Sequence, residues 1–168
     1  MACWAHARRH VFEAREVDHS ISALPLAWIG QLYDIERQAV DKSVEERAEL
    51  RQRQSQPILE RMDQWLRGSL ANSVLPASKL GQAFNYLRNH WEALQVYATD
   101  GRLPIDNNPV ERLMKRVAVG KKNWLFVGSL RAGIRNANLM TLVASAHRHD
   151  LDVFEYLRDV IEHLNRGT

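Results

Sequence analysis

Residues 106–116 combine two acidic side chains with three basic ones, in the sequence Asp-Asn-Asn-Pro-Val-Glu-Arg-Leu-Met-Lys-Arg. Such a pattern suits phosphoryl transfer on DNA, because a carboxylate can hold a divalent cation while neighbouring cations hold the phosphate backbone. Glu111 is the candidate ligand, and Arg112, Lys115 and Arg116 flank it off the apolar face of a predicted helix. One carboxylate is not enough, since Mg²⁺ pairs need several oxygen ligands. The remaining ligands must therefore come from elsewhere.

The same residues also have a purely structural interpretation. Asn108 is a favoured N-cap, Pro109 is favoured at the first helical position, and Glu111 can reach back to the cap amide as in a capping box. Glu111 also lies four residues before Lys115, a stabilising helical pair. Local physical chemistry alone favours this capping role over a catalytic one.

Other candidate binding residues lie near the start of the sequence and just after Glu111. Arg8 and Arg9 form one basic cluster, and Lys121 with Lys122 extends the cluster that begins at Arg112. The net charge of +3 permits nucleic-acid binding without requiring it. Burial is favoured over base stacking for the aromatic rings at 4, 124 and 126. Residues 3, 6 and 10 supply Cys and His, but no second ligand pair follows at zinc-finger spacing, so a zinc site is not expected.

Apolar periodicity and turn residues predict a mainly helical chain. Ser43 and Glu46 predict a capping box at the start of one helix. The helix after Pro76 is predicted to have one apolar face, formed by Leu80, Phe84, Leu87, Trp91, Leu94 and Ala98. We expect residues 121–129 to form a strand or buried extended loop between Gly120 and Gly128, and the helix over 132–149 to be buried, because it is dense in small and apolar residues. The predicted helices cover about 6–16, 25–39, 43–54, 57–68, 77–99, 109–120, 132–149 and 153–164, with an extended piece at 2–5.

Composition narrows the class of protein. Hydrophobic residues make up 45% and charged residues 26% of the 168 positions, as in globular proteins. The sequence has one Cys and therefore no intrachain disulfide. It has no apolar run long enough to cross a bilayer and no signal-peptide core at its start, so we expect a cytoplasmic protein that does not bind membranes.

Several blocks of the sequence resemble the transposases of the insertion-sequence 66 family. That family uses an Asp-Asp-Glu triad on a ribonuclease-H-like fold. Residues 3–9, Cys-Trp-Ala-His-Ala-Arg-Arg, are similar to the family's Trp-Ala-His-x-Arg-Arg block, which follows its second catalytic Asp. Residues 106–112 and 120–129 are similar to the segments around and after its catalytic Glu, and residues 152–157 resemble its C-terminal tail.

This resemblance implies a function for Glu111 and for the basic clusters. Glu111 becomes the third catalytic carboxylate and a Mg²⁺ ligand in metal-dependent cleavage and strand transfer of transposon-end DNA. Both catalytic Asp residues precede the Trp-Ala-His block in the family, so we expect a C-terminal, truncated transposase that is inactive alone. The partners implied are DNA and, as a further option, a full-length transposase or a second copy. The expected DNA-binding residues are Arg8, Arg9, Arg112, Lys115, Arg116, Lys121 and Lys122.

The resemblance also implies a domain organisation. Residues 1–26 would end a truncated ribonuclease-H-like core with most sheet strands missing, 27–99 would be a helical insertion, 100–149 would carry the catalytic Glu and basic segment, and 150–168 would be a helical tail. Two alternatives stay open at this stage. One is a non-catalytic helical module that binds DNA or a transposase, and the other is an inert remnant.

Overall fold

The computed structural model describes residues 2–16, 19–124 and 128–167, with the backbone alone for 69, 116 and 121–124. Over these residues every regular element is a helix and there is no strand. The prediction of a mainly α chain is therefore confirmed. The helices divide into two compact units, one up to Asn108 and the other from Pro109 onward. The four-part organisation expected from the sequence stays a prediction.

The first unit is built around α1, which packs against α2 and α6. A π-helical segment, Arg51–Ser55, joins α3 to α4, and a 3₁₀ segment, Val96–Thr99, follows α7. The helices of this unit are α1 Trp4–Ala14, α2 His19–Gln38, α3 Val44–Leu50, α4 Gln56–Arg67, α5 Ser69–Asn72, α6 Lys79–Asn89 and α7 Trp91–Gln95.

The apolar face predicted after Pro76 forms one side of the core of the first unit. All six of its apolar residues are buried, so the predicted periodicity is confirmed: Leu80, Phe84, Leu87, Trp91, Leu94 and Ala98. The predicted single helix is wrong, however, because the backbone leaves the helical region at His90, with φ −114° and ψ 13°. The chain then resumes as α7 and tightens into the 3₁₀ segment.

Two helix starts differ from the sequence prediction. Helix α1 begins at Trp4 instead of His6, because burial of Trp4 draws the first turn against the core. Helix α2 begins at His19, so Pro25 lies inside it and does not open it. A proline costs a helix one hydrogen bond and a ring clash with the preceding turn. Burial of Ser22, Pro25 and Ile29 on one face offsets that cost.

The two helices predicted within residues 43–68 are present as α3 and α4, and the π-helical segment joins them without a break. The predicted capping box is confirmed, since the Ser43 hydroxyl accepts from the Glu46 backbone N–H and the Glu46 carboxylate accepts from the Ser43 backbone N–H. Pro57 lies in the first turn of α4, as predicted, and the π-helical segment just before it widens the turn that its ring would otherwise contact.

The second unit contains α8 Asn108–Trp124, α9 Leu130–Arg148 and α10 Val153–Arg166, of which α9 and α10 pack together. Gly120 does not end α8, because it keeps negative φ and a glycine stops a helix most readily in the left-handed region. The strand or extended loop predicted for 121–129 is therefore wrong over 121–124, and residues 125–127, including Phe126, lie outside the described residues. The predicted burial of α9 is also wrong. Its apolar residues are distributed around the helix instead of along one face, and Ala146 is the one residue of this helix that is buried.

Candidate nucleic-acid interface

Helix α1 is fixed to the core by its first residue. The Trp4 indole N–H donates to the Leu94 carbonyl oxygen at 2.8 Å, and its ring meets Trp91 edge-on with centroids 6.0 Å apart. The prediction that Trp4 is a core aromatic is confirmed by its 1% exposure. Because Trp4, Ala7, Val11 and Ala14 form the buried face, the remaining face of α1 is directed outward.

The outward face of α1 carries Arg8 and Arg9 and forms one wall of a groove with α2. This α1–α2 groove has a volume of about 660 Å³. Both helices contribute residues at the same i, i+3, i+4, i+7 spacing, which places four residues of each on one side. The lining is Ala5, Arg8, Arg9 and Phe12 from α1, Gly30, Tyr33, Asp34 and Arg37 from α2, and Asn108.

Three arginines give the α1–α2 groove its charge. Arg8, Arg9 and Arg37 are all exposed. Among the described residues of the lining Asp34 alone is acidic, and it forms an i,i+3 ion pair with Arg37 across an exposed helix surface. An exposed pair of this kind is weak and exchanges readily with water. The groove therefore has an excess of positive charge that a phosphate can meet.

Asp106 connects the motif at 106–112 to α2. Its carboxylate accepts from the Tyr33 hydroxyl at 3.0 Å, from the Asn108 side-chain amide at 2.7 Å and from the Asn108 backbone N–H at 3.0 Å. Burial of the phenol, together with the nearby Asp106 charge, raises the pKa of Tyr33 above its ordinary value. Tyr33 therefore stays a hydrogen-bond donor at neutral pH. Asp106 acts as an anchor that fixes Asn108, the residue at which α8 begins.

The sequence did not indicate the contributions of Tyr33, Arg37 and Asp106 to this region. In the sequence Asp106 stands out only as part of the motif at 106–112, and residues 25–39 show one apolar face within the predicted insertion. A usable signal was present, because 30, 33, 34 and 37 repeat the spacing of 5, 8, 9 and 12. Nothing in the sequence tells which two helices lie side by side, however, so the pairing required the structure.

Glu111 lies in the first turn of α8 and is half-buried. Arg112 and Lys115 are exposed on the same helix, one and four residues further along. The side chains of Arg116, Lys121 and Lys122 lie outside what the structure describes. The catalytic and DNA-binding assignments of these residues stay predictions.

Neither unit by itself assembles a metal centre from its described residues. Within each unit, no three Cys, His, Asp or Glu side chains bring ligand atoms together. In the first unit the Cys3 sulfur lies 3.0 Å from Nδ1 of His6, whereas the His10 ring contacts the Tyr86 ring at an interplanar angle of 38°, with centroids 4.7 Å apart. His10 therefore does not join Cys3 and His6 in the arrangement weighed for zinc.

Comparison with known proteins shows to which family the chain belongs. A family model described as "Transposase IS66 family" matches residues 1–135, a range that holds both the Trp-Ala-His block and Glu111. The chain belongs to the IS66 transposase family. The resemblance seen in the sequence is thereby confirmed, and a transposase-related function follows for this IS66 chain. No solved structure matches it.

Relatives of this IS66 chain occur in Sinorhizobium fredii (strain NBRC 101917 / NGR234). The uncharacterized protein y4jD is 36% identical over 167 residues, covering 99% of this chain and 32% of that protein. The uncharacterized protein y4hP is 33% identical over 172 residues, covering 95% of this chain and 31% of that protein. The chain thus spans about a third of the length of these relatives. Among the described residues, no helix is long and apolar enough to cross a membrane.

Proposed function

We propose that this chain is the part of an IS66 transposase that carries the third catalytic carboxylate and part of the DNA-binding surface. The reaction is metal-dependent cleavage and strand transfer of phosphodiesters at transposon ends. The observation that carries the proposal is the family match across 1–135, because one continuous match covers both Arg8-Arg9 and Glu111. In this proposal residues 27–99 are an insertion into a ribonuclease-H-like core.

Glu111 is proposed as a metal ligand and not as the whole site. A divalent cation in such enzymes polarises the phosphate and activates the attacking oxygen. The described residues of either unit do not group three ligands. The described residues of each unit therefore do not supply a two-metal centre by themselves, and we propose that the chain cleaves no DNA on its own. The two Asp residues that the family places before the Trp-Ala-His block supply the missing oxygen ligands.

The chain's own contribution to the reaction is to bind and orient DNA. Arg8 and Arg9 are exposed on a helix whose opposite face is buried, so they can contact phosphates without rearrangement of the core. Arg112 and Lys115 are exposed on the helix that carries Glu111. Together with Arg116, Lys121 and Lys122 they are proposed to hold the phosphate backbone beside the reacting bond. Phosphate contacts of this kind position a protein on DNA without reading its sequence.

A fusion tests the catalytic role of Glu111. The chain is joined behind the N-terminal region of an IS66 transposase that supplies both Asp residues, and cleavage of transposon-end DNA is measured with Mg²⁺. We expect the fusion to cleave and Glu111→Gln to abolish cleavage, because a neutral amide does not replace the charge that holds a hard cation. The amide can still complete a capping box, so the free energy of unfolding should fall by less than about 1 kcal/mol.

Glu155→Gln is the matched control for this substitution. Glu155 also lies in the first turn of its helix, and its side chain is exposed. Its replacement should leave cleavage unchanged. An active fusion that keeps its activity with Gln at position 111 would show that Glu111 is a helix cap and would overturn the assignment. Divalent-dependent cleavage by the unfused chain, lost on Glu111→Gln, would contradict the proposed incompleteness.

A further inference from the structure

We propose that the α1–α2 groove binds an unpaired segment of the DNA strand, with phosphates on its arginines and a base against Phe12. This inference rests on the proposed function, because it names the form of DNA that the first unit would bind. It adds a site, a strand state and a stacking residue that the family match does not provide. Three observations carry it: open space above Gly30, three exposed arginines and an exposed aromatic ring.

The floor of the α1–α2 groove is open because of Gly30. This residue lies in the middle of α2, where a glycine costs about 1 kcal/mol relative to alanine. A close helix contact would explain such a glycine, but a Cβ atom placed on Gly30 would meet no described part of the chain within 4 Å. The packing of the first unit therefore does not require the glycine. The space above it suits the close approach of something from outside, which is a common use of glycine at ligand sites.

The walls of the groove provide phosphate ligands on both sides of Gly30. Arg8 and Arg9 come from α1, and Arg37 lies seven residues beyond Gly30 on α2. The Arg37 guanidinium is paired with the exposed Asp34 carboxylate, so a phosphate would compete with that carboxylate for it. A guanidinium can bind two phosphate oxygens at once, so it recognises a backbone phosphate better than an ammonium group does.

Phe12 provides an aromatic surface inside this charged lining. It is 38% exposed, on a helix whose other face is buried. The Arg15 guanidinium lies 3.6 Å from the ring centroid, and the Arg8 guanidinium lies 5.8 Å from it. Arginine planes and aromatic rings both stack with nucleobases, and this stacking does not depend on the base. Phe12 and Arg8 line the groove and are the side chains there on which a base can stack, whereas Arg15 contacts the Phe12 ring from outside the groove lining.

An unpaired strand fits these features better than a duplex does. Phosphates are accessible in both forms, so the arginines alone do not discriminate between them. An aromatic ring reaches the face of a base only where that base has left the stack of a duplex. The volume of the groove, about 660 Å³, lies in the range of pockets that enclose a small ligand. It can therefore take a nucleotide or two of a frayed or cleaved end.

Fluorescence anisotropy with the complete chain tests the inference through three probes of the same duplex: blunt, with a few unpaired thymidines, and with the same overhang made abasic. The abasic overhang keeps the phosphates and removes the bases. We expect the thymidine overhang to bind at least about fivefold more tightly than the abasic one, which is the lower range of base–aromatic stacking. Phe12→Leu should remove this difference and leave blunt-duplex affinity unchanged.

Two further variants distinguish the contribution of the groove's open space from that of its positive charge. Gly30→Leu fills the groove without changing its charge, and it should weaken binding of both overhangs while sparing the blunt duplex. Arg9→Gln should weaken binding of all three probes. A crosslinking measurement on the wild-type chain needs no variant, since 5-iodouridine in the overhang should attach to the tryptic peptide of residues 10–15, which holds Phe12.

The possible outcomes distinguish failure of the groove proposal from failure of the proposed function. Equal affinity for the three probes, with salt-sensitive duplex binding, would overturn the unpaired-strand site and leave the transposase assignment standing. A thymidine preference that survives both Phe12→Leu and Gly30→Leu, with the crosslink elsewhere, would also overturn it. Absence of binding to every probe at low salt would overturn both proposals.

Discussion

The buried ion pair between Glu36 and Arg51 gives the sharpest stability prediction for the first unit. Arg51 is 1% exposed and the Glu36 side chain 15%. The Arg51 guanidinium donates to both carboxylate oxygens of Glu36, at 2.8 and 2.7 Å, and to the backbone oxygens of Tyr97 and Asp100, at 2.6 and 2.7 Å. It thereby joins α2, the π-helical segment and the end of the 3₁₀ segment.

Replacing Glu36 by Gln leaves the guanidinium buried without its counter-charge. Removal of one partner from a buried pair costs about 3–5 kcal/mol, because the remaining charge stays desolvated. Glu36 keeps some contact with water, so we expect the lower end, about 3 kcal/mol. The measurement is urea unfolding at neutral pH followed by tryptophan fluorescence, which reports mainly on the first unit because every Trp except Trp124 lies there.

An exposed pair of similar chemistry is the matched control. Asp63 and Arg67 form an i,i+4 pair with side-chain exposures of 32% and 77%, and pairs of this kind contribute about 0.3–0.5 kcal/mol. Asp63→Asn should therefore cost well under about 1 kcal/mol. If Glu36→Gln costs no more than Asp63→Asn, the buried guanidinium is compensated by the two carbonyls alone, and the reasoning from desolvation is wrong.

Three smaller predictions follow from individual residues. Gly30→Ala should raise the free energy of unfolding by about 0.5–1 kcal/mol, since the added methyl group meets open space in a helix. Gly81→Ala should instead lower it in the same urea assay, because a Cβ there would lie 2.8 Å from Cα of Pro76. Hydrogen bonds from Arg102 lower the pKa of Asp100 to about 2, so its carboxylate should titrate by NMR near that value. The stabilisation that this charge gives is lost as pH falls from about 4 to about 2, and Arg102→Ala should return the pKa towards 3.8.

Much of the fold followed from local rules in the sequence. The Ser43–Glu46 capping box and the apolar face from Leu80 to Ala98 were predictable because both depend on neighbours a few residues away. The errors arose where distant packing decided the outcome. Pro25 lies inside α2 because the helix face that carries it is buried. Helix α9 is largely exposed, and its own sequence does not show which surface would cover it.

The candidate site was likewise predictable only in part from the sequence. Arg8 and Arg9 were found as a charge cluster and Glu111 as a first-turn acid, since both are visible in sequence spacing. Their partners were not visible, because the Tyr33–Asp106 contact joins residues 73 positions apart. Gly30 was overlooked for a related reason. A glycine inside a predicted helix becomes informative only when the space around it is known.

The π-helical segment also bears on how this chain should be aligned with its relatives. An α-helix turns by about 100° per residue, so an uninterrupted helix would set Leu50 and Leu66 about 160° apart, on nearly opposite sides. Both are buried in the same core. Taking up one extra residue in the wider turn reduces their separation to about 60°. Residues 51–55 thus have the geometry of a one-residue insertion that the helix has absorbed, and a relative lacking one residue there would keep the same inward-facing positions on either side of the gap.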